Sequence, residues 1–210
     1  MAGTREVVLV HGLWVPGLVM TPLAARLQRA DLRCHVFDYT GRARPFAVNA
    51  DALARFARSI GPAHFVGHSL GGLVILEALH AHPEIAVGNV VLLGTPARGN
   101  FAARRFARHR VGRWLLGESE VLWREGRLAH WTRPEPLGLI AGTMPLGLGR
   151  ALGRLPGTND GVVCVEETGV EGMTERIVLP VSHSAMLVST RTAVQTAAFL
   201  REGRFRHDPR

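Results

Sequence analysis

Six short apolar runs separated by helical stretches constrain this chain more than any other feature. They read EVVLV (Glu6 to Val10), CHVFDY, AHFVG, NVVLLG, PLGLIAG and RIVLPV. Helical patterns lie between them near Val19 to Arg29, Val48 to Ser59 and Leu70 to Ala81. A last one, from about Val188 to Arg201, carries Ala193, Ala197 and Leu200 on one face. Strands that are apolar on both sides must be covered on both sides, and alternation with helices makes them parallel. The expected fold class is α/β, with about six mostly parallel strands and helices on both faces. A chain of 210 residues is expected to be one domain, 1–210, with neither internal repeats nor a linker.

One segment breaks the rhythm. Residues 98–134 are longer than a crossover helix requires and interleave arginines with Phe101, Phe106, Trp114, Leu115, Leu116, Trp123 and Trp131. We read this as a helical insertion over the carboxyl edge of the sheet, and a lid candidate. The net charge of +8 is carried here in part, and all 25 basic residues of the chain are arginine. No acidic residue occurs from Ile85 to Gly117, whereas Arg98, Arg104, Arg105, Arg108, Arg110 and Arg113 do. Such a field suits phospholipid head groups or an anionic substrate, so peripheral membrane contact through the insertion is one expectation. Nucleic acid is not an expected partner, because no motif for it accompanies the arginines.

No apolar run approaches the roughly 20 residues of a membrane-spanning helix. The first residues enter a strand directly, without the features of a signal peptide. A cytoplasmic location is expected, at most peripheral to the inner face of a membrane. Cys34 and Cys164 follow no metal or redox spacing and read as small core hydrophobes in a reducing compartment.

The chemistry is in FVGHSLGGL, Phe65 to Leu73. Ser69 stands at the carboxyl end of a strand and the start of a helix, where open parallel sheets build their sites. A sharp strand-to-helix turn needs small neighbours, and Gly67, Gly71 and Gly72 supply them, lifting the hydroxyl clear of the sheet. A serine nucleophile then needs an oxyanion site, a base and an acid. His11 and Gly12 follow the first strand, so backbone N–H groups of Leu13 and Leu70 are the expected oxyanion donors. Trp14 and His11 are candidate substrate-binding residues, with Trp14 lining the acyl side of a pocket. Of the ten histidines, His183 follows the last strand and is the expected base. His80 and His82 face the wrong end of the sheet, His109 and His130 lie in the insertion, His207 is in the tail, and His68 is expected to point off the turn. Asp160, in GTNDGVV, is the expected acid, fixing the imidazole tautomer and stabilising the imidazolium. Glu166, Glu167 and Asp38 compete for that role.

These segments resemble a known family. VHG after the first strand, GHSLGG, LLGTPARGN, NDGVV and SHSAML are similar to the motifs of small serine lipases and esterases of the α/β-hydrolase superfamily, bacterial lipases in particular. They span nearly the whole chain, and the order Ser69, Asp160, His183 is the one that superfamily requires. The resemblance implies an α/β-hydrolase fold and hydrolysis of a carboxylic ester or lipid through an acyl-enzyme. It implies no organic cofactor. In calcium-binding lipases an aspartate stands two residues after the catalytic histidine; Ala185 is there instead, so no metal is expected. Acyl transfer or thioester hydrolysis on the same three residues, and a non-catalytic binding module, remain alternatives.

Overall fold

A computed structural model describes residues 4–40, 44–119, 128–146 and 155–207. Six strands form one parallel sheet: β1 (Glu6–Val10), β2 (Arg33–Phe37), β3 (Ala63–His68), β4 (Val87–Leu93), β5 (Leu137–Gly142) and β6 (Glu175–Leu179). Their order is β2-β1-β3-β4-β5-β6. Successive residues point to opposite faces, and both faces are buried as the sequence required. Val8, Val10, Phe65, Val90, Leu92, Leu137 and Leu139 belong to one core. Val7, Leu9, Val66, Val91, Leu93 and Ile140 belong to the other.

The first core is closed by α2 (Phe46–Ile60) and α3 (Leu70–Ala81), the second by α1 (Thr21–Arg29) and α6 (Thr190–Glu202). In α2 the residues Phe46, Ala50, Leu53, Ala54 and Ala57 make one buried stripe. Helix α3 is buried on nearly all sides, because α2 packs outside it. The chain leaves β1 toward β2 through α1 on one face and leaves β3 toward β4 through α3 on the other. That reversal opens a crevice between the carboxyl ends of β1 and β3.

The boundaries differ from the sequence reading where local chemistry intervenes. Strand β6 ends at Leu179 because Pro180 has no N–H to continue the ladder. Helix α6 starts at Thr190 rather than Val188, since the Ser189 hydroxyl accepts the Thr192 N–H at 3.2 Å and caps it. A 3-10 turn (Ser184–Leu187) fills the gap. In the segment 98–134, α4 (Phe101–Phe106) and α5 (Arg110–Leu116) are two short helices. Trp123 lies outside the described residues. Among the described residues, no helix is long and apolar enough to cross a membrane.

Candidate active site

Ser69 occupies the one-residue joint between β3 and α3 with φ 55°, a left-handed backbone that a non-glycine residue adopts only when its surroundings hold it there. They do so here. The Ser69 N–H donates to Leu93 O at 2.8 Å, and its carbonyl accepts from Gly72 N–H at 3.1 Å and from the Thr95 hydroxyl at 3.1 Å. The loop leaving β1 presses directly on this turn. A Cβ on Gly71 would lie 2.3 Å from Val10 O and 2.4 Å from His11 O. Only a glycine permits that approach, which brings the loop holding Leu13 against the helix that begins at Leu70.

Asp160 and His183 meet at the neighbouring strand ends. The His183 Nδ1–H donates to Asp160 Oδ2 at 2.7 Å, and the backbone N–H of His183 donates to Asp160 O at 2.9 Å. The other carboxylate oxygen, Oδ1, accepts the N–H groups of Val162 at 2.9 Å and Val163 at 2.7 Å. Asp160 is 1% exposed, so a buried carboxylate is fully hydrogen-bonded and fixes the tautomer of His183 with Nε2 free of the proton. The competing acids are engaged elsewhere. Asp38 accepts the Gly17 N–H at 2.9 Å, and Glu166 is exposed. Glu167 accepts the N–H groups of Phe101 and Cys164, and burial pushes its carboxyl above the usual range. It therefore ties the start of the insertion to the loop that holds Asp160. Asn100 does the same, donating from Nδ2 to Val162 O at 3.1 Å.

Three residues of this site escaped the sequence reading. His68 does not point off the turn; it packs against the His183 ring with centroids 4.7 Å apart, and its Nε2–H donates to His183 O at 3.0 Å. Its Nδ1 has no hydrogen-bond partner among the described residues. Burial, with His183 nearby, depresses its pKa to about 3. Gly94, with φ +56°, would put a Cβ 3.0 Å from both Asp160 Oδ2 and His183 Nδ1, so a side chain there would part the pair. A Cβ on Gly142 would meet the Asp160 Cβ at 2.8 Å. A signal existed for the two glycines: each directly ends an apolar run at the carboxyl edge. None existed for His68, whose ring direction depends on the Ser69 turn.

The candidate substrate-binding residues separate. His11 is buried under the loop; its Nδ1–H donates to Gly12 O at 2.8 Å, and its ring stacks on Tyr39 at 4.5 Å. Its Nε2 faces both the Tyr39 N–H at 3.2 Å and an Asp38 oxygen at 2.9 Å. Through Nδ1 it holds the Gly12 carbonyl of the loop. Trp14 is at the surface. Leu13 is half-buried and Leu70 fully buried. Ser69, Asp160 and His183 share one edge of the sheet, but the direct hydrogen bond among them is the one between Asp160 and His183.

Residues 7–201 match the profile of the alpha/beta hydrolase family. The chain belongs to that family. Over 100 residues this hydrolase-family chain is 30% identical to a pimeloyl-[acyl-carrier protein] methyl ester esterase of Edwardsiella ictaluri. That match spans 45% of this chain and only 38% of the relative. Among solved structures, a mature lipase of Bacillus licheniformis superposes with a TM-score of 0.77 at 18% identity, covering 95% of this chain and 92% of that one. A metagenomic carboxyl esterase gives 0.69 at 20% identity over 96% of this chain and 74% of its own. A monoacylglycerol lipase of Paleococcus ferrophilus gives 0.65 at 15% identity, with 97% of each chain covered. At such identities the likeness is one of fold: the six-stranded parallel sheet and its flanking helices are those of the alpha/beta hydrolases.

Proposed function

We propose that this hydrolase cleaves carboxylic esters through an acyl-enzyme, with Ser69 as nucleophile, His183 as base and Asp160 as the orienting acid. The observation that carries the reading is the buried Asp160–His183 hydrogen bond, 2.7 Å long, at the same carboxyl edge of the sheet as the strained Ser69 turn. His183 Nε2 takes the Ser69 hydroxyl proton as the oxygen attacks the ester carbonyl. The tetrahedral oxyanion rests on the N–H groups of Leu13 and Leu70, which need no reorganisation as charge develops. His183 then protonates the leaving alcohol, and Asp160 stabilises the imidazolium without taking its proton. Water repeats the cycle on the acyl-enzyme. No metal or organic cofactor enters these steps.

Hydrolysis of a p-nitrophenyl ester series tests the assignment. Ser69→Ala is expected to abolish turnover above background with the fold intact. Asp160→Asn, which keeps the shape but reverses the hydrogen bond to His183, is expected to lower kcat about 10⁴-fold. Full activity in either variant sinks the corresponding role.

A second reading concerns the substrate. The partial likeness to an esterase whose name specifies a methyl ester on an acyl-carrier protein favours a small alcohol and a carrier-bound or thioester-linked acyl group on the same three residues. Methyl esters turned over faster than longer alkyl esters of the same acid would favour it, and the reverse order would exclude it.

A further inference from the structure

Trp14 follows directly on Leu13, and its backbone is left-handed, with φ 64°. A bulky side chain in that region is held by its contacts rather than by its own preference. The contacts lie outside the β1 loop. The indole Nε1–H donates to Leu115 O at 2.9 Å, and the ring meets Phe106 edge-on at a centroid distance of 6.4 Å. Phe106 is the last residue of α4, and Leu115 is in the final turn of α5, where helix carbonyls lack intrahelical partners. Trp14 supplies one of those missing donors. Trp14 is nevertheless 53% exposed, so burial alone does not fix it.

The other end of the same short loop is anchored from below. The His11 ring holds the Gly12 carbonyl at 2.8 Å, and the Tyr39 hydroxyl donates to His11 O at 3.1 Å. In a trans peptide the N–H lies opposite the carbonyl, so the Leu13 N–H points away from the buried His11 ring. The loop that carries Leu13 thus has two anchors, His11 and Tyr39 at one end and the α4–α5 segment at the other.

We propose that Trp14 is a positioning residue that couples α4 and α5 to the oxyanion site: the insertion holds the indole, and the indole holds the backbone turn that aims the Leu13 N–H. The inference rests on the reading of Ser69 as nucleophile. It gives the insertion a specific route to the reaction centre. A shift of α5 withdraws Leu115 from Trp14, and the loop relaxes from its left-handed turn.

Two variants test the coupling. Trp14→Phe keeps an aromatic edge for Phe106 but loses the N–H; Trp14→Gly loses both contacts and relieves the backbone. Removal of one oxyanion donor typically costs about 10²- to 10³-fold in kcat, and a misaimed donor costs less. Steady-state kinetics on a p-nitrophenyl ester, normalised to active sites titrated with a fluorophosphonate, are expected to show kcat lowered roughly tenfold or more in both, with KM within about twofold. Phe106→Leu, which leaves the β1 loop untouched, is expected to move kcat in the same direction by less. A raised KM with unchanged kcat would make Trp14 ordinary pocket wall and overturn the proposal. So would wild-type kcat in both Trp14 variants while Ser69→Ala is inactive, and in that case the nucleophile assignment survives. Turnover that persists in Ser69→Ala overturns the nucleophile reading and this proposal together.

Discussion

His68 illustrates how one side chain can hold the candidate site in place. It donates to the His183 carbonyl and packs on the His183 ring, so both the backbone and the face of the proposed base are held by the residue that precedes Ser69. The arrangement has a pH signature. Burial keeps His68 neutral down to about pH 3, whereas the unfolded chain takes up a proton near 6.5. Between those values the unfolded state binds more protons, so stability falls as pH drops, by up to about 1.4 kcal/mol per unit from this group. The groups facing it are His183, Asp160 and His11, and they remain in place in a His68→Gln variant. Urea midpoints measured from pH 7 to pH 4.5 are expected to fall more steeply in the wild type than in His68→Gln. Equal slopes would contradict the neutral, buried state of His68. The residues that sequence could announce were those whose type alone has a meaning: a serine between glycines, an aspartate and a histidine after late strands. The one it could not announce, His68, takes its role from a ring direction that depends on the Ser69 turn.

At the scale of elements, the sheet was legible because every strand is an apolar run, and α3 was legible residue for residue because Ser69 starts it and His82 ends it. The insertion was legible only as an interruption. Its helices α4 and α5 have six and seven residues, too few to leave a sustained periodic pattern. These helices carry the unusual surface of the molecule. Val111 and Trp114 are 66% and 63% exposed, on the same helix as Arg110 and Arg113, and Trp14 stands beside them. We propose that this face meets an anionic lipid surface, the aromatic and aliphatic side chains entering the head-group region while arginines pair with phosphates. Sedimentation with phosphatidylserine-containing vesicles is expected to pull down the protein at low salt and to release it as salt rises. Neutral phosphatidylcholine vesicles should retain much less. Equal binding to both, or none to either, would contradict the proposal.

The molecule as a whole turns one topological fact into a site. Because the sheet grows from β1 in both directions, the loops after β1 and β3 part to opposite faces, and the crevice between them receives Ser69 on one side and the Gly12–Leu13 turn on the other. Asp160 and His183 arrive after β5 and β6, 91 and 114 residues beyond Ser69 in the chain, and Gly94 makes room where they meet. Glu167 and Asn100 fasten the acid loop to the root of the insertion. The three elements that a reaction would need to hold together, the β1 loop, the acid loop and the insertion, are thus joined by hydrogen bonds around one edge. In the proposed function, this edge of the sheet activates Ser69 and no other residue. That activation is tested most directly by treating the folded protein with a fluorophosphonate and locating the adduct by peptide mass mapping, with Ser69→Ala beside it. A single adduct is expected on Ser69, absent from the variant. A folded protein that carries no adduct in either the presence or the absence of detergent, or that carries it on another residue, would contradict it.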